Sequence, residues 1–227
     1  MSPLVFEGLL GVMTRGTPEE RMSGLTRFVT GHLADSAAAV TCVDHGRHRL
    51  VASSGYRPPV IDYLLTEFVE SDPGMKVVQR EPTGILTWRD IPDYRTGHTV
   101  QDILQPAGFD EGTSIALTGE QGEMIGAVHV SVAQHSVPHW VKALLAEVRP
   151  VAADTVTMVR GQREVALSTR EGEVLPLMAR GMSNAEIAAA LFISRSTVNS
   201  HVEHILAKLG AANRVCAVVR AIELGLL

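Results

Sequence analysis

Hydrophobic positions change period several times along the chain, and each change predicts an element. In TPEERMSGLTRFVTGHL, Met22, Leu25, Phe28, Val29 and Leu33 recur at helical spacing behind Pro18, Glu19 and Glu20, a composition suited to a first turn. AAAVTCV and HRLVASSG are strand-like runs separated by Asp44, His45 and Gly46, which predicts a hairpin. PPVIDYLLTEFVE reads as a short helix closed by Asp72-Pro73-Gly74, GILTWRDI as extended, and TVQDILQPAG as one or two helical turns ending at Pro106 and Gly108. TSIALTG and EMIGAVHVSV, separated by a glycine-punctuated turn, predict a second antiparallel hairpin. VPHWVKALLAEVRPVAADTVTMVRGQ predicts a long helix, bent or interrupted at Pro150.

This order predicts an α+β chain whose first part is an α/β/α sensory sandwich around a central antiparallel sheet, of the kind built by GAF, PAS and autoinducer-binding domains. Such a likeness gives a pocket and not a ligand. Around Gly161-Gln162-Arg163-Glu164 the composition turns polar. The expected division is a sensor and dimerisation domain over residues 1–160, a linker over 161–166 and an all-α domain over 167–227.

Punctuation alone specifies four short helices in that last part. Ser168 with Glu171, and Ser183 with Glu186, have the spacing of capping boxes. Ser194 and Asn213 are N-cap residue types ahead of the third and fourth helices, and Gly181, Gly210 and Gly225 stand where helices should stop. Between them the apolar residues keep helical spacing: Val174, Leu175, Leu177 and Met178; Ile187, Ala188 and Leu191; Val198, Val202, Ile205 and Leu209; Val215, Val218, Val219 and Ile222. The short step from Leu191 to Ser194 makes the second and third helices a helix-turn-helix.

The segment STREGEVLPLMARGMSNAEIAAALFISRSTVNSHVEHILAKLG resembles the LuxR-type DNA-binding domain, whose pattern runs TxREREVLxLLAxGxSNKEIAxxLxISxxTVKxHxxxIxxKLG. The resemblance implies double-stranded DNA as the partner. It also implies groove contacts from the two residues after the TV pair and from the residue four beyond the first of them, here Asn199, Ser200 and Glu203. Asparagine can pair bidentately with adenine, and glutamate can accept from the cytosine amino group. Arg195 and Lys208, with the hydroxyls of Ser196 and Thr197, are expected on phosphates, setting register. Where the family often has lysine after TV, this chain has Asn199, and Glu203 repels phosphate. Binding should therefore depend on a homodimer and a well-matched operator more than on charge.

Charge sharpens that picture. The chain carries a formal net charge of −5, divided as −6 over residues 1–161 and +1 over 162–227, so indiscriminate nucleic-acid binding by the whole chain is not expected. Hydrophobic residues at 45% and charged residues at 20% are ordinary for a folded chain. Cys42 and Cys216 are far apart, with no metal-ligand spacing, so neither a disulfide framework nor a metal is expected. The opening MSPLVFEGLLGVMTRGTPEE lacks the pattern of a signal peptide and no run has membrane-spanning length, so a cytoplasmic protein with no membrane partner is expected. No GxSxG, Walker loop, HExxH or dinucleotide fingerprint occurs, so neither an enzyme nor a cofactor is expected.

LuxR-type tails are joined to different inputs. No phosphorylated-receiver pattern occurs, since Asp44 lies in a hairpin turn. The stretch from Tyr56 to Trp88 partly resembles the pocket motif of acyl-homoserine-lactone receptors: Tyr63, Asp72-Pro73 and Trp88 match, whereas the motif's first tryptophan is Pro59 here. Tyr56, Tyr63, Asp72 and Trp88 are therefore the candidate ligand contacts, with the aspartate accepting an amide N–H and the aromatics donating. The same residues also read as two core aromatics and a turn aspartate. The leading expectation is a one-component, LuxR-type DNA-binding regulator controlled by a small molecule or partner at its N-terminal domain. A constitutive dimeric binder without ligand, and an anti-activator pairing with another regulator through Val215, Val218, Val219 and Ile222, stand as alternatives.

Overall fold

The computed structural model describes residues 11 and 13–227, so most of the opening stretch read for a signal peptide lies outside the described residues. The chain forms two compact units, residues 1–159 and 160–227.

In the first unit, α1 (Pro18–His32) begins as the pattern predicts. Thr17 caps it, Glu20 returns a bond to the Thr17 N–H at 2.8 Å, and Met22, Leu25 and Val29 are buried. Strands β1 (Ser36–Asp44) and β2 (Arg47–Ser54) meet at His45 and Gly46, both at positive φ (47° and 76°), the two-residue turn whose twist matches a hairpin. Strands β3 (Glu111–Thr118) and β4 (Met124–Val132) form the second hairpin, and all four make one antiparallel sheet in the order β2-β1-β4-β3. β1 and β4 are buried along nearly their whole length, because both faces of the central strands are covered. One face packs Val40, Val128 and Val130 against α1 and α5 (His139–Val165). The other carries Ala37 and Ala116 under α2 (Pro58–Leu65), α3 (Glu67–Ser71) and α4 (Pro73–Arg80).

Four local expectations are corrected. GILTWRDI is not a strand: Trp88–Asp90 is a single 3-10 turn, with one isolated bridge between Thr87 and Thr113. Asp90 accepts from both the backbone N–H and the hydroxyl of Thr87 at 2.8 Å, and this local bond outcompetes a ladder. PPVIDYLLTEFVE divides into α2 and α3 at Thr66, whose hydroxyl turns back to the Asp62 carbonyl at 2.7 Å. Pro150 does not interrupt α5, which continues as helix to Val165, so residues 161–165 of the expected linker are helical. Ala152, Val156 and Val159 beyond the proline are fully buried, and that packing offsets the missing backbone bond. The helical turns expected in TVQDILQPAG are present, over Thr99–Leu104, in π-helical form.

The second unit holds α6 (Thr169–Ala179), α7 (Asn184–Leu191), α8 (Arg195–Lys208) and α9 (Arg214–Glu223). Ser168 and Ser183 complete capping boxes, Ser194 and Asn213 cap α8 and α9, and Gly181, Gly210 and Gly225 sit at positive φ after α6, α8 and α9. Helix α7 ends on the same left-handed geometry at Phe192 (φ 54°), a bulky side chain that is 95% exposed. Val174, Ile187, Val198 and Ile205 are fully buried in a common core. On α9 the buried residues are Ala217 and Ala221, whereas Val215, Val219 and Ile222 face outward.

Candidate nucleic-acid interface and N-terminal cleft

Helix α8 is held by one face and shows the other. Val198, Val202 and Ile205 are buried against the rest of the unit, while Arg195, Ser196, Thr197, Asn199, Ser200 and Glu203 are exposed together on the opposite face. At its start, Ser194 Oγ accepts from the Thr197 N–H at 3.1 Å and lies 2.7 and 2.8 Å from the hydroxyls of Ser196 and Thr197. Exposed hydroxyls and the orphan N–H groups of a helix start favour an anion.

Lys208, expected on a phosphate, has partners within the unit. Its ammonium donates to the buried Glu171 carboxylate at 2.6 Å and to the Ala166 carbonyl at 3.1 Å. Burial opposes ionisation of Glu171, but the bonds from Lys208 and from Ser168 prevail and hold its carboxyl below the usual value. A carboxylate enclosed by the core must be paired, and the nearest lysine is spent on that pairing. His204, 3.8 Å from Glu171, lies beside the same pair.

Asn199 has a partner that the sequence reading missed. Asn184, the first residue of α7, donates from Nδ2 to Asn199 Oδ1 at 2.8 Å, and its own Oδ1 accepts from Arg214 at 3.2 Å. Arg214 also donates to the Met182 carbonyl, which ties α9 to the start of α7. Asn184 was visible only as the residue after a capping serine, and nothing in spacing alone joins positions 184, 199 and 214.

In the N-terminal unit the structure joins Tyr63, Asp72 and Trp88 through residues the sequence did not single out. Asp72 caps α4, with Oδ1 accepting from the N–H groups of Gly74 and Met75 at 2.7 and 3.1 Å. The Tyr94 hydroxyl donates to the same oxygen at 3.1 Å, and the Thr99 hydroxyl donates to Oδ2. Tyr63 bonds Thr99 at 2.5 Å, and the Trp88 ring lies 6.4 Å from that of Tyr94. The carboxylate expected to accept a ligand's amide is therefore engaged by four internal donors. Burial raises the hydroxyl pKa of both Tyr63 and Tyr94, so each stays a donor. Tyr56 stands apart, bonded to Ser131 at 2.7 Å and packed edge-on to Phe109. Tyr63, Asp72, Tyr94, His98 and Thr99 line a cleft of about 360 Å³ that includes neither Trp88 nor Tyr56.

His129, on the face of β4 that lies under α3, is another residue that pattern did not reveal. Nδ1 meets the Ser114 hydroxyl at 2.9 Å, Nε2 is buried without a partner, and the Phe68 ring stands edge-on at 5.4 Å. Burial, with His48 adding to it, lowers its pKa from 6.5 to about 3. Between those values the unfolded chain binds more protons than the folded one, so this contribution is full above pH 7 and declines as pH falls. Going from pH 7 to 5 should cost the unit about 2 kcal/mol. Urea midpoints at the two pH values check this; a His129→Gln variant with the same pH slope as wild type would rule it out.

Among the described residues no helix is long and apolar enough to cross a membrane. Residues 165–221 match the family described as bacterial regulatory proteins, luxR family. The transcriptional regulatory protein YhcZ of Bacillus subtilis, itself uncharacterized, is 52% identical over 60 residues, covering 26% of this chain and 28% of that one. A Sinorhizobium fredii chain named as a candidate HTH-type transcriptional regulator, y4qH, is 30% identical over 159 residues, covering 65% of this chain and 48% of its own. The chain thus spans about half or less of the curated relatives it matches. Among solved structures, the GAF domain of an Acinetobacter phosphoenolpyruvate-protein phosphotransferase is similar, with TM-score 0.51, 12% identity, and 69% of this chain and 95% of that domain covered. That is a likeness of fold.

Proposed function

We propose that this chain, whose C-terminal unit is a LuxR-family helix-turn-helix domain, is a dimeric one-component regulator that binds an operator through α8 and acts by binding, not catalysis, in the cytoplasm. The observation that carries the reading is the composition of the one face α8 leaves exposed. Asn199, Ser200 and Glu203 can meet base edges, while Arg195 and the Ser196 and Thr197 hydroxyls at the helix start suit phosphates. The helix is roughly 21 Å long at 1.5 Å per residue, enough to lie in a major groove about 12 Å wide. With Lys208 withdrawn and Glu203 facing outward, few cations remain, so sequence matching outweighs phosphate attraction.

Selection of bound sequences from randomised duplexes tests the reading. Asn199→Ala should cost roughly 1–3 kcal/mol on the selected site while leaving binding to unrelated duplex unchanged. Equal losses on both, or an unchanged selected site, would remove the assignment.

The input is the N-terminal unit, where a small molecule or partner biases the spacing of two α8 helices relative to half-sites about one helical turn apart. The cleft beside Tyr63 and His98 has the volume of a small-ligand site. The internally satisfied Asp72 supports a ligand held by shape and aromatic contact rather than by that carboxylate.

A further inference from the structure

A base edge accepts an asparagine amide in one plane, so a reader left free to rotate must be ordered when DNA arrives, and that cost reduces affinity. In this chain the protein itself supplies the ordering. Arginine has donors only, so the Asn184 atom that meets Arg214 is its oxygen. Nδ2 of Asn184 is thereby turned to Asn199, and the Asn199 atom that receives it is again oxygen. Arg214 is anchored in turn on the Met182 carbonyl, so the series of bonds starts from the backbone. Asn184 opens α7 and Arg214 opens α9, so the Asn199 amide on α8 is steadied by side chains from two other helices.

We infer that Asn184 is a positioning residue for operator reading: it holds the Asn199 amide in its working orientation before DNA arrives, and it acts on affinity through Asn199. This rests on the assignment of α8 as the DNA-reading helix. The bond takes one of the two lone pairs on Asn199 Oδ1. The other lone pair and both Nδ2 hydrogens are left for a base, so the choice of base stays with Asn199 and only its readiness is set by Asn184. Asn199 is exposed and Asn184 half-buried, where one neutral hydrogen bond adds little to the fold. Its consequence is expected in binding, not in stability.

A double-mutant cycle separates this role from a direct contact with DNA. Full-length wild type, Asn184→Ala, Asn199→Ala and the double variant are titrated with the duplex that wild type selects from a randomised pool, and with an unrelated duplex. Ordering one side chain corresponds to roughly a twofold to tenfold change in binding constant. Asn184→Ala should weaken binding to the selected duplex by that factor and leave the unrelated duplex unchanged. With Asn199 already replaced by alanine, the same substitution should change neither. Urea unfolding followed by circular dichroism should give Asn184→Ala the wild-type midpoint. In free wild type, nitrogen-15 relaxation of the Asn199 side-chain amide should give an order parameter near the rigid value of about 0.85, falling below about 0.6 in Asn184→Ala.

The inference is overturned, with DNA reading intact, if the Asn184→Ala loss is absent, is shared by the unrelated duplex, or is as large without the Asn199 side chain as with it. An Asn199 amide in free wild type with an order parameter below about 0.6 overturns it too, and that measurement needs no variant to fold. Enrichment of no sequence by wild type would instead overturn the DNA-reading assignment, and this inference with it.

Discussion

Asp72→Ala should destabilise the N-terminal unit by roughly 2.5–8 kcal/mol. Losing the side-chain cap of a helix costs about 0.5–2 kcal/mol. Each buried hydroxyl left without its acceptor costs about 1–3 kcal/mol more, and Tyr94 and Thr99 both lose theirs. A sum of that size approaches the stability of a whole domain, about 5–15 kcal/mol. Both tryptophans, Trp88 and Trp140, lie in this unit, so their fluorescence during urea unfolding of the full chain reports on it directly. Asp72→Asn, which keeps one oxygen for the cap, should lose less. An unfolding midpoint for Asp72→Ala equal to wild type would mean that the carboxylate is held for something other than the fold.

That aspartate also shows where sequence reading ran out. Its position before Pro73 is a local signal, and both of its sequence roles, ligand contact and cap, used the same two residues. The partners that decide between them lie 22 and 27 residues further on, at Tyr94 and Thr99, in a segment with no period to read. The four C-terminal helices were legible because each is closed by its own caps within three or four residues, and caps are local chemistry. Lys208 and Asn199 were placed on the correct helix, yet their roles depend on Glu171 and Asn184, which sit on other helices. Trp88 misled in the opposite sense: an apolar run with strand composition became a 3-10 turn because Thr87 and Asp90 satisfy each other three residues apart.

Val219→Glu should leave the fold intact and abolish the dimer proposed above. Val215, Val219 and Ile222 keep helical spacing, yet α9 buries the small Ala217 and Ala221 and leaves those three residues 72%, 51% and 58% exposed. Positions 215, 219 and 222 are separated by four and three, so they form one stripe. Apart from Phe192, every large hydrophobic exposed among the described residues is on this helix or at Leu227 just after it. A concentrated apolar stripe on an otherwise polar surface marks a contact surface, and a second copy of α9 offers the same stripe in return. A carboxylate at its centre must be desolvated against apolar side chains, which such a contact cannot repay. Two α8 helices joined in one particle bind a pair of half-sites with the second contact intramolecular, so losing the dimer should cost on the order of 10²–10⁴ in affinity. Sedimentation should show a monomer, affinity for a single half-site should match wild type, and affinity for the paired site should fall by that factor. A dimer that persists with full affinity for the paired site would place the interface elsewhere and leave the α9 stripe for a different partner.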